Sequence, residues 1–431
     1  MGMMVLGLDI GTTTVSAVVV QDGKVLAAKT LKNGAFLPGR PVWEKAQDVQ
    51  TITAAAEQAV AELCAAYPQV ARIGLTGQQH GIVYLDAAGA PLSPLYTWQD
   101  GRGDLPYDER HSYAAYLTEQ TGYPLATGYG LVTHFYNLKN GLVPENAAVF
   151  CTIHDYIAMR LAGRTSPRID ASDAASFGFF DLARGCFDTA ALEKIGIDPA
   201  ILPQLAETPC LGGDDLPVYV AIGDNQASFL GATGGQTGCM LVNVGTGSQF
   251  SVHVPQYLSC PGLETRPFPM GGFLLVGSSL CGGRAYALLE RFFRETAAML
   301  GVPTASCYDA MDALLSGSPA PDDPVRVVPL FQGTRADPAL RGRIENISAD
   351  NFTPLSLLYG MMQGMADELY GMYLRCAALS APGAVLYGSG NGLRKNVHLR
   401  RCFERTFGLP LTLSRNEEEA ACGAALFAAA S

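Results

Sequence analysis

The chain reads LGLDIGTTTVSAVVV over residues 6–20, an apolar stretch that holds one acid, Asp9, directly before a glycine and three threonines. A buried strand normally excludes a carboxylate, because removing the charge from water is costly unless a partner compensates for it. The position of Asp9 therefore predicts a partner that compensates for its charge where this strand ends.

A second stretch, MLVNVGTGSQFSVHV at residues 240–254, repeats this pattern, with Asn243 in the place of Asp9. Each copy has an apolar strand, a Gly/Thr turn and a second β-branched strand, which is typical of a hairpin with a polar tip. Two copies about half a chain apart predict a duplicated domain whose turns face each other across a cleft. Two unrelated hairpins are the alternative.

The rest of the chain alternates strand and helix patterns, which predicts an α/β fold with two lobes. The Gly- and Thr-rich stretch 231–238 is the expected boundary, so we predict domains at 1–235 and 236–431. Helices are predicted at 47–66, 284–300, 355–378 and 417–430 and from Asp224 onward, and strands within 70–85 and at 384–390.

Composition limits the classes of function. The 431 residues carry a net charge of −11 and a pI near 5.0, which argues against nucleic acid or an anionic membrane as a partner and favours a small molecule. Eleven cysteines stand singly without a CxxC pair, so we expect reduced, mostly buried thiols and a cytoplasmic protein. We identify no targeting segment and no apolar run long enough to span a bilayer.

The two Gly/Thr turns are candidates for binding phosphate. Glycine lets backbone N–H groups converge there, and hydroxyl groups lie beside them. Next to a triphosphate, Asp9 could hold Mg²⁺ through a water, since Mg²⁺ keeps several waters and takes few carboxylates. The alternative is an ordinary tight turn with a hydrogen-bonded aspartate.

Asp224 opens an apparent helix in VAIGDNQASFLGA, residues 220–232. One interpretation is a helix N-cap that accepts from the amides of Gln226 or Ala227. The other is a general base at a domain junction. Both interpretations stay open at the level of sequence.

Two polar loops in the first half suit a polyol. One is Gln78-Gln79-His80, and the other, TWQDGRG at 97–103, holds Trp98 and three hydrogen-bonding side chains. An indole face packs against C–H groups, while amides, carboxylates and guanidinium groups bind hydroxyls. The alternative is a turn with an Asp100–Arg102 ion pair and a core histidine at His80.

Other nucleotide-binding motifs are absent. The chain has neither a Walker A sequence nor protein-kinase signatures. LYGSGNGLRKN at 386–396 fails the GxGxxG pattern because Leu393 takes the last position. A Gly-rich strand end that lets an adenine ring lie against backbone is still open there.

Taken together, these motifs resemble the FGGY carbohydrate kinases, a branch of the sugar-kinase, actin and heat-shock ATPase superfamily. The resemblance covers essentially the whole chain, and 126–139, 152–163 and 170–180 are most similar to the sedoheptulokinases. Gln79 stands where many members have methionine. The motifs, in family order, are DIGTT (9–13), GQQHG (77–81), WQDGR (98–102), GDNQ (223–226), VGTGS (244–248), GSGN (388–391) and EEEAACGAA (417–425).

The resemblance implies two ribonuclease H-like domains with a nucleotide cleft between them, the sugar bound by 1–235 and the nucleotide by 236–431. It implies ATP-dependent phosphorylation of the terminal primary hydroxyl of a ketose, first of all sedoheptulose to its 7-phosphate. Xylulose or another ketose or polyol is the alternative acceptor. An ATP-switched ATPase of the actin or chaperone kind is the alternative outside the kinases.

The resemblance also assigns roles to residues. Asp224 would be the catalytic base and Asp9 the residue that holds Mg²⁺, through a water. The sugar would contact Gln78, Gln79, His80, Trp98, Asp100, Arg102 and Asn225. ATP would contact Gly11, Thr12, Thr13, Gly245, Thr246, Gly247, Ser248, Gly388, Ser389, Gly390 and Asn391. The expected partners are the sugar and ATP, without nucleic acid or membrane, and a homodimer is one candidate for the oligomeric state.

Overall fold

The structure is a computed structural model that describes residues 2–213, 216–334, 337, 339–379 and 385–431. Its contacts divide the chain into two compact units. Unit 1 holds the chain up to Gln236, together with Arg266–Gly272 and Asn416–Ser431. Unit 2 holds Thr237–Thr265 and Phe273–Arg415.

Unit 1 is built from short strands, many of them two or three residues long, and a smaller set of helices. Its strands are β1 (Met4–Ile10), β2 (Thr14–Gln21), β3 (Lys24–Lys32), β4 (Ala46–Gln47), β5 (Val70–Gly77), β6 (Val83–Leu85), β7 (Leu95–Tyr96), β8 (Val149–Cys151), β9 (Arg168–Ile169), β10 (Phe180–Asp181), β11 (Cys186–Phe187), β12 (Gln204–Leu205), β13 (Cys210–Gly212), β14 (Val218–Tyr219) and β15 (Ile222–Gly223). Its helices are α1 (Val49–Ala66), α2 (Tyr113–Thr121), α3 (Gly130–Lys139), α4 (Ile153–Leu161), α5 (Ala171–Ala174), α6 (Thr189–Lys194), α7 (Asp224–Thr233) and, from the end of the chain, α13 (Glu419–Ala430).

The main sheet of unit 1 has the order β13-β14-β5-β1-β2-β3, and β15 also pairs with β5. β1 and β2 form an antiparallel hairpin with Asp9 opposite Ser16, which confirms the first predicted hairpin. β5 and β15 run parallel to β1 and to each other. The carboxyl ends of these three strands therefore lie at one edge of the sheet.

Small residues pack α13 closely against α7. A Cβ on Gly231 would collide with the backbone of Glu419, and a Cβ on Gly423 would collide with the backbone of Ala227. The run of alanines after Glu418 thus forms the predicted C-terminal helix, which belongs to unit 1 and covers β1 and β5.

Unit 2 repeats the arrangement around the second hairpin. Its strands are β16 (Met240–Val244), β17 (Ser248–Val254), β18 (Glu264–Pro267), which ends in unit 1, β19 (Phe273–Ser279), β20 (Arg326–Val328), β21 (Arg343–Glu345), β22 (Leu386–Ser389) and β23 (Leu411–Leu413). Its helices are α8 (Gly283–Met299), α9 (Tyr308–Gly317), α10 (Pro354–Ala377), α11 (Asn391–Lys395) and α12 (Val397–Phe407).

The sheet of unit 2 has the order β18-β19-β17-β16-β22-β23. As in unit 1, the first strand of the hairpin pairs with a parallel strand on one side, and the second pairs with an antiparallel strand on the other. Asn243 pairs with Gln249 as Asp9 pairs with Ser16. The two hairpins and their shared strand order confirm the repeat read from the sequence.

The predicted helices and strands agree with these bounds, apart from small shifts at their ends. α7 continues to Thr233, so the first residues of the predicted boundary stretch are helical. The predicted strand at 384–390 is β22, and Ala384 lies outside the described residues. All eleven cysteines are free and eight of them are buried, which confirms the prediction for the thiols. Among the described residues we find no helix that combines the length and apolarity of a membrane span.

Candidate active site

Carboxylates gather at the edge of the unit 1 sheet where the parallel strands end. Asp9 is the second-last residue of β1, and Asp224 follows β15 directly. Burial and the nearby charges of Asp224 and Glu418 raise the pKa of Asp9 to about 7. Ligands of α/β sheets bind outside the carboxyl ends of the strands, so this edge is the candidate site of unit 1.

The turn after β1 is fixed by hydrogen bonds to Thr12. Trp98 Nε1 donates to Thr12 Oγ1 at 3.0 Å, and Thr12 Oγ1 donates to Gln78 Oε1 at 3.1 Å. Gln47 Nε2 donates to the Thr12 carbonyl at 2.9 Å, and Gln47 Oε1 accepts from Gln78 Nε2, also at 2.9 Å. Because the Thr12 hydroxyl proton is donated to Gln78, the hydroxyl has no proton left to donate to a ligand.

Asn33 holds the rest of this turn. Its Nδ2 donates to the Gly11 carbonyl at 2.8 Å, and its backbone N–H donates to the Thr13 carbonyl at 2.8 Å. The carbonyls of Gly11 and Thr13 therefore have partners within the protein. Thr13 itself is exposed, which leaves its side chain accessible.

Asp224 is the first residue of α7, and the N-cap is Gly223, which has no side chain to donate or accept. The interpretation of Asp224 as an N-cap is therefore wrong, and its carboxylate points to other partners. Burial raises its pKa, while the charges of Arg266 and His154 and hydrogen bonds from the backbone N–H groups of Asn225 and Gln79 oppose the increase. A carboxylate with a raised pKa at the edge of a sheet is suited to accept a proton.

A segment from the second half of the sequence, Arg266–Gly272, belongs to unit 1 and brings Arg266 toward Asp224. Gln226 Nε2 donates to the Pro267 carbonyl at 3.1 Å, and the rings of Phe229 and Phe268 meet edge to face with their centroids 5.6 Å apart. Both contacts attach the segment to α7. The sequence offered no local signal for this contact, because Arg266 lies in β18, a four-residue strand far along the chain from Asp224.

The Asp100–Arg102 pair is internal. Arg102 Nε donates to Asp100 Oδ1 at 2.7 Å and Nη2 donates to Oδ2 at 3.1 Å, while both side chains are buried. Nη1 donates to Asn137 Oδ1, and the guanidinium carbon lies 4.0 Å from the centroid of the Tyr96 ring. The side-chain polar atoms of Asp100 and Arg102, which were predicted to bind a sugar, are thus occupied by the protein.

Trp98 differs from this pair, since 46% of its surface is exposed. Its indole N–H is bonded to Thr12, so the loop after β7 and the turn after β1 are directly connected. The ring face remains available to the C–H groups of a ligand.

His80 adopts a backbone φ of +72°, a value rare for a residue with a side chain. Its backbone N–H donates to Ser176 Oγ at 3.1 Å, its Nδ1 lies 2.7 Å from the Ser176 carbonyl, and its ring stacks on Tyr129. Since a carbonyl can only accept, Nδ1 carries a proton. Strained backbone that is held this firmly is concentrated at functional sites.

Gln79 faces the short helix α5. Its Nε2 donates to the Ser172 carbonyl at 2.9 Å and to Asp173 Oδ1 at 3.2 Å. Asp173 Oδ2 lies 3.0 Å from His154 Nε2, and both residues are fully buried. These partners of Gln79 were not among the predicted site residues, although a buried acid within DASDAAS is the kind of signal that marked Asp9.

The turn of the second hairpin, Gly245–Ser248, rests on the start of α8. The Gly245 carbonyl accepts from the N–H of Gly283 at 2.8 Å, and the Thr246 carbonyl accepts from the N–H of Arg284 at 3.1 Å. Ser248 Oγ is buried and has no hydrogen-bond partner among the described residues. The turn is therefore held through its carbonyls.

The Gly-rich end of β22 meets the end of β16. Asn243 Nδ2 donates to Ser389 Oγ at 2.6 Å. Gly390 has a φ of +84°, and a Cβ there would lie 2.5 Å from the Val244 carbonyl oxygen. Gly388 lies within β22 and Asn391 is the exposed first residue of α11. In unit 2, the predicted nucleotide residues from both stretches thus adjoin the ends of two parallel strands.

Comparison with known proteins gives the family. The sequence profile of the FGGY family of carbohydrate kinases, N-terminal domain, matches residues 4–231, and that of its C-terminal domain matches residues 240–431. The chain belongs to the FGGY family of carbohydrate kinases. It is a sugar kinase that uses ATP, and this confirms the predicted family, enzyme class and fold class.

Individual relatives of this FGGY kinase share less than a third of its residues. It is 29% identical to a sedoheptulokinase of Mus musculus, over 98% of this chain and 96% of the relative. It is 26% identical to an apulose kinase of Pectobacterium atrosepticum, over 98% of this chain and 88% of the relative. The crystal structure of a xylulose kinase from Rhodospirillum rubrum shares its fold with a TM-score of 0.83 at 23% identity, covering 99% of this chain and 89% of that one.

Glu418 is a further acidic residue near Asp9 that was not among the predicted site residues. Its charge raises the pKa of Asp9, and its Oε1 accepts from Thr30 Oγ1 at 3.3 Å. Glu418 is far from Asp9 along the chain, so no local pattern indicates that the two acids lie near each other.

Proposed function

We propose that this FGGY kinase transfers the γ-phosphoryl group of ATP to the terminal primary hydroxyl of a ketose, with sedoheptulose as the first choice. The near full-length similarity to a sedoheptulokinase supports this acceptor. The observation that best supports this reaction is that Asp9 and Asp224 lie near each other at one edge of the unit 1 sheet. Burial raises the pKa of both carboxyl groups there.

Asp224 would accept the proton of the sugar hydroxyl during transfer. Its pKa is raised by burial, which moves a carboxylate toward the range where a base is effective near neutral pH. Asn225, the next residue, has a buried Oδ1 without a hydrogen-bond partner in the described part of the protein, and we assign it to a sugar hydroxyl.

Asp9 would hold Mg²⁺, through a water. The residues fit such an ion, because the charges of Asp224 and Glu418 act on Asp9 in a buried setting, and a divalent cation would neutralise this accumulation of negative charge. Mg²⁺ bound there would also neutralise charge on the phosphates of ATP.

Both Gly/Thr turns and the end of β22 would bind ATP. The phosphates are assigned to Gly11, Thr12 and Thr13 and to Gly245, Thr246, Gly247 and Ser248, and adenine to Gly388, Ser389, Gly390 and Asn391. Phosphoryl transfer depends mainly on alignment and charge neutralisation, so the turns matter as much as the base. The division into a sugar domain, 1–235, and a nucleotide domain, 236–431, is part of this proposal.

The sugar would lie against His80 and the exposed face of Trp98, beside Gln78 and Gln79. The internal contacts of Asp100 and Arg102 support a role in shaping the loop on which Trp98 stands. A cytoplasmic location and a homodimer also belong to the proposal.

The experiment is an ADP-release assay with ATP, Mg²⁺ and a panel of sedoheptulose, xylulose, ribulose, glycerol and no sugar. We expect the highest kcat/KM with sedoheptulose. A higher value with xylulose or another acceptor would identify that compound as the preferred substrate and leave the proposed phosphoryl transfer unchanged. ADP release that is independent of sugar would support an ATP-switched ATPase and contradict the proposal.

A further inference from the structure

The short helix α5 binds two segments that adjoin Asp224, one through a backbone N–H and the other through a side-chain amide. Ser172 Oγ accepts from the backbone N–H of Gly223 at 3.0 Å. The Ser172 carbonyl and Asp173 Oδ1 both accept from Gln79 Nε2, at 2.9 and 3.2 Å. Neighbouring residues of one helix therefore bind both segments.

These two segments determine where the Asp224 carboxylate lies. Gly223 is the residue directly before Asp224, and Gln79 stabilises the carboxylate through its backbone N–H. A Cβ on Gly223 would collide with the Gln79 side chain, so the segments are also in close contact with each other. A displacement of either one would move the carboxylate.

The helix itself is firmly anchored. The N–H of Ser172 donates to Asp170 Oδ1 at 2.8 Å, and Asp173 Oδ2 lies 3.0 Å from His154 Nε2, although neither atom makes a hydrogen bond among the described residues. Asp173 and His154 have no measurable exposure. A fully buried carboxylate is expensive for a fold, and packing alone gives no reason for an acid at this position.

We propose that Ser172 and Asp173 are positioning residues that hold the Gly223 backbone and the Gln79 side chain and thereby fix the Asp224 carboxylate for proton transfer. The inference rests on the proposed role of Asp224. Neither residue needs to touch substrate. A misplacement of about 1 Å at a reacting group can reduce the rate by about 10²-fold, so such a support has a measurable effect.

The test compares four variants of the full-length kinase. Ser172→Ala and Asp173→Ala remove the side-chain acceptors, whereas Ser172→Thr keeps the hydroxyl and Asp173→Asn keeps an oxygen for Gln79. We expect the alanine variants to lower kcat by about 10- to 100-fold with KM for ATP nearly unchanged. The conservative variants should recover most of the rate.

Amide hydrogen exchange supplies a readout that does not depend on activity. In Ser172→Ala, exchange at residues 222–225 should accelerate by about five- to tenfold, as expected for the loss of one hydrogen bond. The control is Ser112→Ala, which removes a bond of the same kind to the N–H of Ala115 at the start of α2 and should leave kcat and exchange at 222–225 unchanged.

Unchanged exchange at 222–225, or an alanine pair with the kcat of the wild type, would overturn the positioning role. Equal loss in the alanine and conservative variants would also contradict it, since a purely structural defect predicts that result. If the wild type releases no ADP with any sugar, the proposed function fails, and the exchange measurement decides by itself whether α5 holds the two segments.

Discussion

The indole Nε1 of Trp98 donates to Oγ1 of Thr12 at 3.0 Å. This bond joins the loop proposed to face the sugar to the turn proposed to face the phosphates, within a single unit. The proposed sugar and nucleotide contacts in unit 1 are therefore linked directly by a hydrogen bond.

Trp98→Phe keeps an aromatic face and removes the donor. We expect kcat/KM to fall by about fivefold, the equivalent of one neutral hydrogen bond of about 1 kcal/mol. Thr12→Val removes this bond and the bond to Gln78, so its loss should be at least as large. The double variant should be little worse than Thr12→Val alone, because the Trp98 bond is absent from both. Additive losses would show that the two residues act independently.

Breaking the buried Asp100–Arg102 pair should lower the free energy of unfolding. Asp100→Asn leaves a buried guanidinium without its charge partner, which typically costs about 3 to 5 kcal/mol. Urea denaturation should show this loss, whereas Glu57→Gln at the exposed pair with Arg160 should cost less than about 1 kcal/mol. If Asp100→Asn kept its stability and raised KM for the sugar instead, Asp100 would be a sugar ligand.

Gly390→Ala tests the close approach of β22 and β16. The φ of +84° and the Val244 carbonyl oxygen 2.5 Å from a new Cβ both oppose a side chain, and a non-glycine residue in strained backbone costs about 1 to 3 kcal/mol. Gly371→Ala in α10 is the matched control, because nothing lies within 4 Å of its Cβ position and alanine favours a helix. Equal unfolding free energies for the two variants would contradict this packing.

His134 predicts a pH dependence of stability. Burial lowers its pKa to about 4, and its Nδ1 lies 2.8 Å from the Tyr84 hydroxyl. The unfolded chain binds this proton near pH 6.5 and the folded chain only near pH 4, so stability is complete above pH 6.5 and declines as the pH falls.

A pKa difference of this size corresponds to about 3 kcal/mol. Between pH 6.5 and pH 4, we expect the free energy of unfolding in urea to fall by about 3 kcal/mol more in the wild type than in His134→Gln, whose side chain cannot titrate. Parallel pH profiles for the two proteins would exclude a buried neutral His134.

The parts of the fold and of the candidate site that depend on local sequence patterns could be predicted. The two hairpins follow from alternating apolar residues around Gly/Thr turns, and the position of Asp224 follows from a strand, a glycine and a helix start. It did not find Gln47, Ser172 or Glu418, because they reach the site through contacts far apart along the chain. The periodicity of a short stretch of sequence does not indicate contacts between distant parts of the chain.

The same limit explains the mistaken alternative for Asp224. An aspartate before an apolar helix is a common N-cap, yet here Gly223 takes that position and leaves the carboxylate free for other partners. The Asp100–Arg102 pair shows the converse: side chains that suit a sugar also suit each other when the fold buries them together.

The central claim is that Asp224 accepts the proton of the sugar hydroxyl. The most direct measurement is single-turnover ADP formation by wild type and Asp224→Asn with saturating ATP, Mg²⁺ and the best sugar of the panel, together with ATP binding by both proteins. We predict a rate about 10²- to 10⁴-fold lower in the variant with ATP affinity retained. A variant that binds ATP and transfers phosphate at the wild-type rate would contradict the account.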